Sequence, residues 1–133
     1  MSVRVAVVHA AVVGVGGFLG ALGRYGLSGL IHRYPGTSGF PYGTLAVNLL
    51  GCLLIGTVAG LMEGRQLFSP ELRVFVLIGV LGGFTTFSTF GYESFMLMRD
   101  AEYARVLANV GLHVLGGLAL VWLGYALTTL EVG

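Results

Sequence analysis

Apolar residues run along the chain in four long blocks. Val5 to Gly23 carries no charge, and His9 is its only titratable group; Thr44 to Met62 and Val74 to Tyr92 follow; Val106 to Leu130 is interrupted only by Asn109 and His113. Each block is close to the ~20 apolar residues a helix needs to cross a hydrocarbon core. Backbone polar groups cannot stay unpaired in lipid, so helices are the expected form. The pattern predicts an all-α membrane protein of four transmembrane helices, a single domain over 1–133, with spans at about 5–31, 44–62, 72–98 and 105–130. Short loops at His32–Gly43, Glu63–Glu71 and Arg99–Ala104 connect them, the first broken by Pro35, Gly36, Gly39 and Pro41. Ser69-Pro70-Glu71 reads as an N-cap followed by proline at the first helical position. The first block lacks a small-residue cleavage site and continues through Arg24 and Tyr25 toward Ile31, so a retained span is expected rather than a signal peptide.

Composition sharpens this reading. Hydrophobic residues make up 56% and charged residues 10%, against roughly 25% charged in soluble domains. Seven arginines, no lysine and six acids give a net charge of +1, which excludes a polybasic nucleic-acid binder. Cys52 is the single cysteine, so there is neither a disulfide framework nor a cysteine metal cluster. The 23 glycines show no Gly-X-Y period and suit helices packed backbone to backbone, as do Gly16 and Gly20 at GxxxG spacing. Gly14-Val15-Gly16-Gly17 imitates a dinucleotide loop but lies inside a span. No nucleophile–base pair, carboxylate metal cluster or phosphate loop is present in the sequence, so an enzyme is not expected.

The charges give the chain no strong instruction about orientation. Four spans put both termini on one side with Arg4, Arg65 and Arg73; the other side holds Arg33, Arg99 and Arg105, with Arg24 near it. Arginine asymmetry normally sets topology. Near-equality is either small-number scatter or the mark of a chain that inserts both ways, whose opposed copies can pair about a two-fold axis in the membrane plane.

Polar residues inside the spans are the candidates for function. Arg24 lies near the far end of the first span, either as a snorkelling anchor beside Tyr25 or as a positive charge at the mouth of an anion pathway. Thr44 and Asn48, four apart, share a helix face that Cys52 continues; the Asn48 amide either bonds a neighbouring helix or lines an anion path. In the third span, Gly82-Gly83 followed by β-branched Thr85 and Thr86 disfavours a continuous helix, and a break near the bilayer midplane is expected. Such a break would free the carbonyls of Gly82 and Thr85 to bind a cation. Phe87 and Phe90 then lie on one face, interleaved with Thr86, Ser88 and Thr89, so that positively polarised ring edges and hydroxyl donors could meet an anion. A packing stripe is the ordinary alternative. Glu93 reads as an interfacial acid, and Asn109 and His113 as neighbours on one polar seam of the fourth span.

Three segments carry a resemblance. Gly-Gly-Phe-Leu-Gly-Ala-Leu-Gly-Arg-Tyr from Gly16, Gly-Thr-Leu-Ala-Val-Asn-Leu-Leu-Gly from Gly43, and Gly-Gly-Phe-Thr-Thr-Phe-Ser-Thr-Phe from Gly82 resemble the Fluc, or CrcB, family of bacterial fluoride channels, in order and over nearly the whole chain. The resemblance implies a multi-pass protein of the bacterial cytoplasmic membrane. It also implies an antiparallel dual-topology dimer of this chain with a second copy of itself, holding two fluoride pores and surrounded by membrane lipid, with no nucleic-acid partner. By the same resemblance Phe87 and Phe90 are the paired pore phenylalanines, Asn48 the pore asparagine and Arg24 the vestibule arginine. A central structural sodium ion, held by the Gly82 and Thr85 carbonyls of each chain, would be the one cofactor. Thr44, Ser88 and Thr89 complete the expected fluoride pathway with Asn109 and His113. The family's fourth helix usually offers a serine where His113 stands and a tyrosine near Asn109; an imidazole there would make conduction pH-sensitive.

Fluoride is small and strongly hydrated. A pore for it must replace water with hydrogen-bond donors without a full charge that would hold it too long. The competing classes are a small four-span, dual-topology, proton-coupled exporter, which needs an intramembrane carboxylate, and a non-transporting membrane subunit. The first span holds no carboxylate, and Glu93 falls late in the third.

Overall fold

The computed structural model describes residues 1–65 and 68–130, so the part of the second loop at Gln66 and Leu67, and the side chain of Arg65, lie outside the described residues. The described chain is all-helical. Four helical segments, Val3–His32, Tyr42–Glu63, Pro70–Arg99 and Tyr103–Thr129, are long and apolar enough to cross a membrane, and this is a membrane protein. We label the helices α1 (Val3–His32), α2 (Tyr42–Arg65), α3 (residues 70–84), α4 (Phe87–Arg99) and α5 (Tyr103–Thr129). Helices α3 and α4 together form the third span. Two stretches wind with wider π-type turns, Val74–Leu81 in α3 and Leu112–Gly116 in α5.

The helix starts follow local chemistry. Ser69 caps α3 by accepting the Leu72 amide at 3.2 Å, with proline in the first turn, as the Ser-Pro-Glu signal predicts. In the first loop, Gly36 and Gly39 take positive φ angles of 87° and 89°, a backbone that side chains rarely adopt. Arg105 closes over that loop: a methyl on Gly39 would lie 3.0 Å from its Nη1. The first loop and the third-to-fourth connection therefore share one end of the bundle.

Glycine governs how the helices meet. A Cβ on Gly16 would lie 2.8 Å from the Phe75 carbonyl oxygen, and one on Gly20 would lie 2.7 Å from the Phe84 nitrogen. The GxxxG face of α1 thus seats directly on the backbone of α3. On the other side of the bundle α2 runs along the C-terminal part of α5. There a methyl on Gly124 would collide with the Leu53 carbonyl oxygen and lie 2.8 Å from the Thr57 nitrogen. Gly124→Ala is therefore expected to force α2 and α5 apart, at a cost of about 1–3 kcal/mol. Unfolding in detergent should show that loss, whereas Gly14→Ala, with open space around it, should unfold like wild type.

The third span is interrupted near its middle. Thr85 (φ −84°, ψ 158°) and Thr86 (φ −151°, ψ 114°) are extended. The expectation from the sequence needs one correction: Gly82 and Gly83 are themselves helical. Gly83 packs on the Gly17 backbone, where a Cβ would lie 2.6 Å from the Gly17 oxygen. Gly83 allows close approach, a Cβ on Gly82 would make only an ordinary 3.7 Å contact with the Leu77 carbonyl oxygen, and the two β-branched threonines after them carry the extended backbone.

Little of the apolar surface is buried in a single copy. Leu45, Val47, Met62 and Leu81 are the buried hydrophobic residues, while Phe18, Trp122 and Phe87 stand exposed. A membrane protein of this size leaves such surface to lipid or to another subunit.

Candidate functional site

The break is held open by a side chain 38 residues away. Thr86 donates its amide to Asn48 Oδ1 at 2.8 Å, and Asn48 Nδ2 donates to the Thr86 carbonyl at 3.0 Å. The asparagine thereby satisfies both backbone groups of an extended residue that has left the helix ladder. Thr86 also caps α4: its hydroxyl accepts the Thr89 amide at 3.4 Å and donates to Thr89 Oγ1 at 2.9 Å.

Asn48 has a second amide hydrogen, and it meets His113 Nε2 at 3.1 Å. The other imidazole nitrogen, Nδ1, lies 2.9 Å from the Asn109 carbonyl. A carbonyl only accepts, so Nδ1 carries the proton and Nε2 presents its lone pair to the Asn48 amide. Both Asn48 donors are thus taken within one copy. The π-type turn at Leu112–Gly116 places this histidine, in keeping with the use of such turns at functional positions. The imidazole also packs on the Phe90 ring, centroids 4.3 Å apart, and Phe90 on Phe87 at 5.6 Å.

These groups open on one cleft of about 360 Å³, lined among others by Asn48, Thr86, Phe87, Phe90 and His113, and by Gly82 and Thr85. Phe87 is 81% exposed. Because Thr86 gives its amide to Asn48, the Gly82 carbonyl loses its usual helical donor. Among the described residues, no donor from outside the helix ladder reaches the Gly82 or Thr85 carbonyl. The freed carbonyls suit a hard cation such as sodium, which takes oxygen ligands. No cluster of three or more His, Cys, Asp or Glu side chains that could hold a metal exists among the described residues.

A second cavity, about 480 Å³, lies on the other side of the break and is lined by Arg24, Tyr25, Ser28, His32, Thr44, Thr86 and Thr89 among others. Arg24 is not a freely snorkelling anchor: its Nε donates to the Gly83 carbonyl at 3.2 Å. Thr44 is buried and donates to Glu93 Oε1 at 2.7 Å, while Glu93 Oε2 is buried without a partner. Glu93 is therefore tied to the second span through Thr44.

A family profile described as "CrcB-like protein, Camphor Resistance (CrcB)" matches residues 11–125. This chain belongs to the CrcB family. Its relatives include a protein of Nitratidesulfovibrio vulgaris strain Miyazaki F, 50% identical over 84% of this chain and 90% of its own length, and one of Geotalea daltonii, 48% identical over 86% and 91%. A third, from Methylobacillus flagellatus, is 41% identical over 90% of this chain and 94% of its own length. All three are named fluoride-specific ion channel FluC, so these relatives are ion channels, not enzymes.

Within this CrcB chain the residues singled out from sequence divide into groups. Asn48, Phe87, Phe90 and His113 meet in the first cleft with Gly82 and Thr85; Arg24, Thr44 and Thr89 line the second cavity, and Thr86 borders both. Two do not join either. Ser88 is exposed. Asn109 is fully buried and turns its amide away, donating from Nδ2 to Ser94 Oγ at 3.0 Å, so only its backbone carbonyl touches His113. Sequence reasoning passed over Ser94, Ser28 and His32. Glu93 was legible, being one turn beyond Phe90 on the same helix.

Proposed function

We propose that this chain is a passive, fluoride-selective channel of the bacterial cytoplasmic membrane, working as an antiparallel dual-topology homodimer with two pores. The observation that carries the reading is the broken third span beside the Asn48 clamp, where Phe87 and Phe90 border a cleft left open in a single copy. Full-length relatives named as fluoride-specific channels support it. Each dehydrated fluoride passes hydroxyl donors and ring edges between the Arg24 cavity and the Phe cleft, with the break placed near the bilayer midplane. Uncharged donors stabilise the ion while leaving its release fast. Inward leakage of neutral HF loads the cell with fluoride, and the negative membrane potential drives the anion out.

In the dimer, exposed Phe87 and the adjacent cleft face the opposed copy. The near-equal distribution of arginines supports insertion in both orientations. The free Gly82 and Thr85 carbonyls of the two copies would hold a structural sodium ion, which supplies a fixed charge that offsets their converging dipoles.

Glu93 gives the proton-coupled exporter reading its one specific observation, a buried carboxylate oxygen. Liposomes loaded with fluoride separate the two. The channel empties them once charge is balanced by a potassium carrier and needs no pH gradient; an exchanger requires the gradient. Topology is tested by labelling single cysteines placed in loops, in a Cys52→Ala background. Dual topology predicts that each loop is labelled from both sides of the membrane, and labelling from one side alone would contradict it.

A further inference from the structure

We infer that His113 is a positioning residue that sets the donor pattern of Asn48, and that a proton on its Nε2 turns this closed pair into an anion-binding site. The inference rests on the channel reading above and deepens it. The Asn48 amide is fixed at two points, Oδ1 by the Thr86 amide and Nδ2 by the Thr86 carbonyl, so it cannot rotate without losing both bonds. Its remaining hydrogen points at His113 Nε2, 3.1 Å away. The imidazole is equally fixed, with Nδ1–H given to the Asn109 carbonyl and its ring tilted against that of Phe90, centroids 4.3 Å apart.

In this arrangement donor meets lone pair, and the couple offers nothing to an anion. A proton on Nε2 leaves two N–H groups facing one another across the same gap. Two donors cannot bond each other, and neither can turn away, so the pair needs a shared acceptor. That acceptor would sit in the cleft bordered by Phe87 and Phe90. The smallest halide, the strongest acceptor among them, suits a two-donor gap, and the imidazolium adds positive charge only while protonated.

Among the described residues, no carboxylate lines the cleft to neutralise that charge. Helix α2 contributes Cys52 as the titratable group lining it, and Phe87, Phe90, Thr85 and Thr86 from the third span do not titrate. Glu93 of α4 is turned to Thr44 and Arg24 of α1 to the Gly83 carbonyl. On its own helix His113 is backed by Asn109.

Fluoride current in planar bilayers at sub-saturating fluoride tests the inference, read at about pH 8 and about pH 4.5, well to either side of the ordinary imidazole midpoint. The wild-type current should rise roughly tenfold with acid. His113→Gln can accept from Asn48 but cannot titrate, so its current should be the same at both values. A wild-type current that does not rise, or a rise that persists in His113→Gln, overturns the inference and leaves the channel standing. No fluoride current at either pH removes the channel reading and the inference with it. Should His113→Gln fail to fold, nitrogen-15 histidine spectra of the purified wild-type protein decide. The neutral form should carry its proton on Nδ1, and fluoride should raise the His113 titration midpoint. The opposite tautomer, or a midpoint indifferent to fluoride because water bridges the pair, overturns it.

Discussion

Asn48→Asp is expected to abolish fluoride permeation and to loosen the third span together. The carboxylate still accepts the Thr86 amide that Oδ1 now takes at 2.8 Å. Its other oxygen, however, faces the Thr86 carbonyl and His113 Nε2, both of which now receive a hydrogen from Nδ2. The Thr86 carbonyl loses its donor, at about 1–3 kcal/mol where it is shielded from water, and His113 Nε2 keeps a partner only by taking up a proton. A negative charge also enters the path of an anion. Flux should fall below about one hundredth of wild type, the factor set by roughly 2.8 kcal/mol at the barrier. Detergent unfolding should show lower stability, which separates this variant from one that only blocks the path. Wild-type flux in Asn48→Asp would remove the asparagine from the pathway.

The second large effect concerns the aromatic pair. Phe87 and Phe90 stand 5.6 Å apart, with Phe90 stacked on His113. Isoleucine keeps bulk and removes the ring quadrupole, whose positive edge can meet an anion. Phe87→Ile and Phe90→Ile should each cut fluoride flux on the order of a hundredfold, while size-exclusion profiles stay monodisperse. A packing stripe predicts the reverse, weakened assembly with normal flux per folded particle.

The four spans were legible because apolar runs of bilayer length leave few other structures. Gly16 and Gly20 were legible as a packing face, and Ser69-Pro70 as a helix start, because each acts over one helical turn. The break was legible only in neighbourhood. Sequence alone cannot tell a glycine that interrupts a helix from one that lets another backbone approach; both Gly82 and Gly83 are helical, and Gly83 is of the second kind. The clamp of Asn48 on Thr86 spans 38 residues and the Asn48–His113 contact 65, so neither leaves a local pattern. The same holds for Thr44 with Glu93, 49 apart. Helical spacing puts Asn109 beside His113. It does lie there, yet its side chain satisfies Ser94 and only its carbonyl reaches the imidazole.

The central claim, a passive pore selective for fluoride, is tested most directly by the reversal potential of purified protein in a planar bilayer with fluoride on one side and chloride on the other. The account predicts a current that reverses at the extreme set by fluoride alone and does not move when a pH gradient is imposed across the bilayer at fixed mean pH. A reversal near zero, or one that follows the pH gradient, would contradict it.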